Sequence, residues 1–175
     1  MTKLPPQREH KLTLPEVLEA LASDGLIKPA QINDLQARIG IKGGEPRHPL
    51  LAIAELDVDN LQVPGRKLTV DALVQWLAKS SGVPYHRIDP LSIDVSRVTS
   101  VIPYAYAQRA RILPVKVSPT EITVAVCEPW ERSWMQELGT SILKNHKITR
   151  VLSSPSDIDR DLIEFYALSK QVKAI

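Results

Sequence analysis

The hydrophobic period of the chain changes near its middle, and this change limits the folds available to it. In the first half the apolar side chains recur at the spacing of an amphipathic helix, most clearly in residues 70–77. In the second half they alternate with polar or small residues, most clearly in residues 121–127, which is typical of a half-buried strand. The sequence therefore predicts a helical part followed by a part that contains a sheet.

Start and stop signals predict four short helices in the first half. Thr13 to Glu16 has the composition of a capping box with proline in the first turn, and Gly25 is a typical helix stop. A second helix is expected over residues 30–39, a third over residues 49–56, and a fourth between the cap at Thr69 and the stop at Gly82. The glycines and prolines of residues 40–49 predict a loop.

The second half predicts the order helix, strand, strand, helix, strand, helix. The expected ranges are residues 104–110, 112–117, 121–127, 131–143 and 147–152, followed by a helix that begins at Ser154 and Pro155. We predict an α+β fold, in which an N-terminal cluster of short helices packs with a sheet of about three strands covered by helices. The expected divisions are a flexible lead-in over residues 1–12, a helical subdomain over 13–85 and an α+β subdomain over 86–175, the last two forming one compact unit.

Composition excludes several classes of protein. The 22 Lys and Arg residues nearly balance 20 Asp and Glu residues, and a net charge of +2 is too small for a strong nucleic-acid surface. No apolar run approaches the roughly 20 residues that a membrane-spanning helix needs, and the N-terminus lacks the apolar core of a secretory signal. The single cysteine, Cys127, excludes an internal disulfide and a cysteine-based zinc site. We expect a cytoplasmic protein that neither binds nucleic acid nor inserts into a membrane.

A search for catalytic patterns finds no credible active site. The sequence has neither the G-x-x-x-x-G-K-[ST] phosphate loop nor the G-x-G-x-x-G fingerprint. Its four histidines form no i, i+4 pair, and the acids at residues 157–164 are explained by their place in the first turns of a helix. We therefore predict no catalytic, metal-binding or cofactor-binding residues, and we expect an interaction module that is not an enzyme.

Loop positions supply the candidate partner contacts. These are Arg47, His48, Arg66, Lys67 and Trp130. Trp130 follows a proline and is either an exposed anchor for a partner or part of the packing between helices and sheet.

Several segments, taken in order, resemble the N-terminal region of the assembly ATPases of bacterial type II secretion and type IV pilus systems. The matching segments are LEALASDGLIKPAQINDLQ (18–36), HPLLAIAEL (48–56), LTVDALVQWLAKSSGVPYHRIDPLSID (68–94), VIPYAYAQRARILPVKV (101–117), EITVAVCEPWERSWMQEL (121–138) and ITRVLSSPSDIDRDLIEFYALSKQVKAI (148–175). Each segment is weakly specific, but their order over most of the chain is typical of that family.

The resemblance implies a non-catalytic docking or regulatory domain. In such ATPases this region precedes the motor, where ATP and Mg²⁺ are bound, and in the secretion branch it docks the hexameric motor onto the cytoplasmic part of an inner-membrane platform protein. The implied partners are therefore that platform protein and neighbouring subunits of the hexamer, at the cytoplasmic side of the bacterial inner membrane.

The resemblance also leaves a second role open, since some members of the family bind cyclic di-GMP through two copies of an R-L-G-x-x-L-x-x-x-G motif. If Gly25 and Asp57 take the last position of the two copies, the arginine positions fall on Glu16 and His48. Both motif arginines are then missing, and Glu16 would repel a phosphate. Arg47 lies beside His48 and could partly replace the missing guanidinium.

Overall fold

The structure is a computed structural model that describes residues 8–42 and 47–173. These residues form two compact units, the first ending at Ser81 and the second beginning at Gly82. The predicted lead-in over residues 1–12 is described only from Arg8 onward, and residues 43–46 of the predicted loop lie outside the described ranges. The expectation that the two subdomains form one compact unit stays a prediction.

The first unit is built from the four predicted helices. They are α1 (Leu14–Ser23), α2 (Ile32–Lys42), α3 (Pro49–Ala54) and α4 (Val70–Ser81), with a 3-10 turn at Pro29–Gln31 before α2. The capping box of α1 is present, since the Glu16 N–H donates to the Thr13 hydroxyl and the Thr13 N–H donates to the Glu16 carboxylate. The helix α2 runs past the predicted end at residue 39, because Gly40 lies within the helix.

The core of the first unit consists of the apolar stripes that the helical spacing predicts. Leu18, Leu21, Leu50, Ile53, Leu73 and Leu77 are each at most 1% exposed. Trp76 of α4 is also buried, and its Nε1–H donates to the Asp24 carboxylate just after α1 at 2.8 Å. Such short helices are marginal alone and depend on this packing.

The second unit is a three-stranded sheet covered by helices. Its elements are α5 (Val95–Thr99), α6 (Tyr104–Ala110), β1 (Ile112–Val117), β2 (Glu121–Val126), α7 (Ser133–Gly139), β3 (Lys147–Leu152) and α8 (Pro155–Lys173). The strand order is β1-β2-β3, with β1 antiparallel and β3 parallel to β2. The predicted α+β class and three strands are confirmed.

One helical prediction in this unit needs correction, and one short helix was not predicted. The predicted helix over residues 131–143 is shorter, because the hydroxyls of Thr140 and Ser141 donate to the carbonyls of Gln136 and Glu137 just where α7 ends. Helix α5 was not predicted; the Asp94 carboxylate caps it by accepting the Arg97 N–H at 3.3 Å. A helix of only five residues has too little periodicity to be recognised.

The long helix α8 covers the sheet with the apolar face that the sequence predicts. Ile158, Leu162, Phe165 and Tyr166 are all buried, and the Tyr166 hydroxyl donates to the Ile102 carbonyl at 2.6 Å. Burial raises the pKa of the Tyr166 phenol to about 12, so this hydroxyl stays a donor at neutral pH. Within the described ranges no helix is long and apolar enough to cross a membrane.

Core packing in the second unit predicts a large difference between two leucine truncations. Leu113 of β1 is fully buried, whereas Leu91 is 97% exposed. We expect Leu113→Ala to lower the free energy of unfolding by about 2–5 kcal/mol, because it removes transfer energy and leaves a cavity. Leu91→Ala is the matched control and is expected to change it by less than about 0.5 kcal/mol. Urea unfolding followed by circular dichroism measures both, and equal effects would contradict the described core.

Candidate docking site

A closed loop in the first unit joins the end of α3 to the start of α4. An antiparallel bridge between Asp59 and Lys67 holds its two arms together, and the Asn60 N–H donates to the Arg66 carbonyl at 2.9 Å. At the tip the Arg66 N–H donates to the Val63 carbonyl at 3.1 Å. Pro64 and Gly65 occupy the centre of this turn, and Gly65 has φ of +80°, as a type II turn requires. The loop therefore has a defined shape.

An open cleft of about 600 Å³ lies between this loop and the first turns of α4. It is lined by Asn60, Val63, Gly65, Arg66, Lys67, Thr69, Asp71, Ala72 and Gln75. Two of the five predicted partner contacts, Arg66 and Lys67, are brought together here. The α4 residues of the lining were missed by sequence reasoning, because only folding brings that helix against the loop.

The two basic residues of the cleft differ in their electrostatic surroundings. The Lys67 ammonium donates to the Asp59 carboxylate at 2.6 Å, and this hydrogen bond raises the pKa of Lys67. The exposed Arg66 guanidinium forms no hydrogen bond or ion pair with the residues that the structure describes. An unpaired guanidinium beside a shaped cleft suits a carboxylate or carbonyl of a partner, since its planar fork can donate two parallel bonds.

The other three predicted contacts lie elsewhere. Arg47 is exposed and forms an ion pair with Glu55. His48 is only 4% exposed and caps α3, its Nδ1 accepting the Leu50 N–H at 3.2 Å. Trp130 belongs to the second unit and is 7% exposed. A partner role for these residues stays a prediction, and the burial of His48 and Trp130 gives both a part in packing.

Two left-handed turns lie at the positions that correspond to the last residues of the cyclic di-GMP motifs. Gly25 and Asp57 both adopt the left-handed conformation, with φ of +81° and +52°, so the two turns are similar in backbone. The Glu16 carboxylate lies in the α1 capping box and also faces the His10 Nε2 at 2.9 Å. With His48 committed to capping α3, neither arginine position offers a positive group comparable to a guanidinium.

Neither metal ligation nor thiol chemistry stands out in the described ranges. No group of three or more His, Cys, Asp or Glu side chains there is arranged to hold a metal ion. Cys127 is buried, and burial raises the pKa of its thiol well above the usual range. A thiol that stays protonated is a poor nucleophile.

The helices and the three-stranded sheet define a small α+β fold. Residues 81–172 match the family model of the MshEN domain. The chain belongs to the MshEN domain family.

Similar proteins come from secretion and pilus systems. The chain is 36% identical over 155 residues to the type IV pilus assembly ATPase TfpB of Acinetobacter baylyi, a match that covers 89% of this chain and 26% of TfpB. The chain thus spans about a quarter of the length of that relative. The predicted resemblance to secretion and pilus assembly ATPases is confirmed.

Two solved structures share the fold. A structure of MshE with cdg matches at a TM-score of 0.56 and 18% identity, covering 89% of this chain and all of the other. The N-terminal domain of XpsE matches at a TM-score of 0.50 and 14% identity, covering 89% of this chain and 97% of the other. At these identities the likeness concerns the fold alone.

The left-handed turn after α1 predicts opposite effects for two glycine substitutions in the first unit. We expect Gly25→Ala to lower the free energy of unfolding by about 1–2 kcal/mol, because an alanine is strained at positive φ. A Cβ there would meet only the Gln62 side chain at 3.7 Å, so the cost comes from the backbone. Gly40→Ala, in α2 with nothing within 4 Å, is expected to raise it by about 0.5–1 kcal/mol. Denaturant unfolding measures both signs, and a stabilising Gly25→Ala would contradict the turn.

Proposed function

We propose that this chain is the N-terminal docking module of a secretion or pilus assembly ATPase and binds the cytoplasmic part of an inner-membrane platform protein. The observation that carries the proposal is the match to an assembly ATPase over 89% of the chain but only 26% of that relative. A module that forms so small a part of a motor protein, and that lacks a phosphate loop in its own sequence, suits attachment better than hydrolysis. The ATP and Mg²⁺ chemistry then belongs to other parts of such a protein.

The cleft beside α4 gives this role a physical basis. Its loop arm is held by backbone hydrogen bonds, so little conformational entropy is lost when a partner binds. Arg66 supplies an unpaired donor group next to the apolar edge of Val63, which is 47% exposed. A partner segment with one acidic and one apolar side chain fits this combination. Association with such a partner would hold the module on the cytoplasmic side of the inner membrane.

A charge reversal in the cleft tests the proposed surface. We expect Arg66→Glu to weaken binding of the purified platform domain about tenfold. The substitution replaces the guanidinium with a carboxylate, which repels the carboxylate of the partner. Arg38→Glu is the matched control, since Arg38 is an exposed arginine on α2 of the same unit with only a 4.0 Å contact to Asp34. Calorimetric titration measures both variants.

The outcomes separate the role from the surface. No association of the wild-type chain at high micromolar concentration, with both partners folded, contradicts the docking role. Equal losses in the two variants would leave the role in place and remove the cleft as its surface. Contact with neighbouring subunits of a hexamer is a further proposed interaction, and sedimentation of the chain alone measures it.

Cyclic di-GMP sensing is the second candidate, favoured by the shared fold with the structure of MshE with cdg and by the paired left-handed turns at Gly25 and Asp57. The chemistry of the arginine positions argues against it. Glu16 carries a negative charge where a phosphate or guanine would need a donor, and the buried His48 ring faces the first turn of α3.

A nucleotide titration distinguishes the two candidates. We expect no saturable binding of labelled cyclic di-GMP up to a 100-fold excess over about 1 µM, because micromolar affinity needs about 8 kcal/mol and the motif arginines are missing. Fluorescence anisotropy is a suitable measurement, with labelled GMP as the control for binding of a single guanine nucleotide. Saturable binding of the cyclic dinucleotide alone would make sensing the better description.

A further inference from the structure

The strand β3 is an edge of the sheet, because the strand order is β1-β2-β3. Alternate residues of β3 direct their backbone groups to opposite sides. On the side that faces β2, the Lys147 N–H donates to the Thr120 carbonyl at 2.8 Å and the Ser153 N–H donates to the Val126 carbonyl at 3.0 Å. Every second residue from Lys147 to Ser153 faces β2. Ile148 and Arg150 lie at the intervening positions and therefore direct their N–H and C=O groups away from the sheet.

The chain itself begins a fourth strand at one end of this edge. The Leu152 N–H donates to the Pro84 carbonyl at 2.7 Å, and the His86 N–H donates to the Leu152 carbonyl at 2.8 Å. This pairing is parallel and involves only the last residue of β3. Beyond it, the outward backbone groups of Ile148 and Arg150 form no hydrogen bond with any part of the chain that the structure describes.

The charged residues of β3 itself, Lys147 and Arg150, are both basic. No Asp or Glu occurs between Glu137 and Asp157, whereas Lys144, Lys147 and Arg150 all fall in that interval. The Arg150 guanidinium donates to the Pro129 carbonyl at 2.8 Å. Partial burial, together with the nearby Arg132 charge, lowers the pKa of Arg150. An added carboxylate would offset both effects.

We propose that the open edge of β3 binds an extended, acidic segment of a partner protein as an added strand. The segment would pair through the outward N–H and C=O groups of Ile148 and Arg150, with its carboxylates near Lys147 and Arg150. This proposal rests on the proposed docking function and names the chemistry of a segment docked by the same module, at a surface separate from the α4 cleft. Binding of this kind takes its affinity from main-chain hydrogen bonds and its specificity from side chains.

Charge makes a second copy of this chain the poorer occupant. Two such edges would bring Lys147 and Arg150 of each copy against a positive segment of the other, and like charges across a strand pair are destabilising. Lysines on an edge strand are also a common protection against self-association. An acidic strand turns the same charges into attraction.

Backbone resonances of the whole chain test the proposal directly. The probe is a short capped peptide in which pairs of glutamates alternate with pairs of valines, titrated into the isotope-labelled 175-residue chain. This order places carboxylates on both faces of the added strand, as Lys147 and Arg150 on opposite faces of β3 require. We expect saturable shifts centred on the amides of Ile148 and Arg150, and at least ~tenfold slower hydrogen exchange at both, because each amide gains a strand partner. A lysine–valine peptide is the control for charge and is expected to produce no saturable shift.

A proline variant isolates the backbone contribution. Ile148→Pro removes the outward N–H, and proline is tolerated at a strand edge whose N–H faces solvent. We expect this variant to bind the glutamate–valine peptide at least ~tenfold more weakly. Ile148→Ala removes the side chain, keeps the N–H, and is expected to bind within about threefold of wild type. The exchange measurement on the wild-type chain decides the matter if the proline variant does not fold.

The proposal is overturned if the glutamate–valine peptide does not bind at about 1 mM and low salt, where such charge attraction is strongest. Shifts centred outside β3, or unchanged binding by a folded Ile148→Pro variant, would overturn it as well. Its failure is distinguishable from failure of the docking function. If the platform domain binds the wild-type chain and the Ile148→Pro variant equally, docking is supported without this edge. If the peptide pairs with β3 but the platform domain does not bind, only the edge proposal is supported.

Discussion

The second unit depends on strand β2, which is hydrogen bonded along both of its edges. It pairs antiparallel with β1 through a tight turn and parallel with β3 through the crossover that contains α7. Its side chains are buried on both faces, with Ile122, Val124 and Ala125 all fully out of solvent. Because β2 lies at the centre, β1 and β3 are the two edges of the sheet. The parallel pairing of β2 and β3 requires the crossover connection in which α7 lies.

The turns that end α1 and α3 have the equivalent role in the first unit. Both place a residue in the left-handed region, at Gly25 and at Asp57, and each is followed by a buried apolar residue, Leu26 and Val58. The Leu61 N–H donates to the Leu26 carbonyl at 3.0 Å, so the segment after one turn is bonded to the segment after the other. The loop that borders the cleft is shaped by this arrangement and does not rely on its own side chains alone.

The proposed functions need surfaces and no bond-breaking chemistry. A cleft with an unpaired guanidinium and a strand edge with open backbone groups both provide hydrogen-bond donors whose desolvation a partner can compensate. Each surface is held by backbone hydrogen bonds in its own unit, so both are largely preformed. Interfaces of this kind gain specificity from electrostatic complementarity, which acts mainly on association rate and on the exclusion of wrong partners.

The sequence by itself determined the secondary structure wherever periodicity was long or a start signal was strong. It predicted α4, α8 and the three strands, because apolar spacing along the chain reports burial directly. Its errors came where nearby polar groups compete: the hydroxyls of Thr140 and Ser141 at the end of α7, and the Asp94 cap that starts the short α5. Loop composition predicted Arg66 and Lys67, which folding brings together at the cleft. It did not show that His48 is buried, and it left both exposure and packing open for Trp130.

Only the tertiary structure decided which surfaces are open. The cleft requires a loop and a helix that meet through long-range packing. Only the folded chain shows that Asp59 pairs with Lys67, while the Arg66 guanidinium has no partner among the described residues. Likewise, the pattern of β3 identifies a strand, but strand order makes it an edge and leaves the backbone of Ile148 and Arg150 open. The spacing of apolar side chains can be read from the sequence, because it depends only on neighbouring residues. The pairing of distant backbone groups depends on the whole fold. The proposed docking surfaces consist of polar groups that this pairing leaves without a partner.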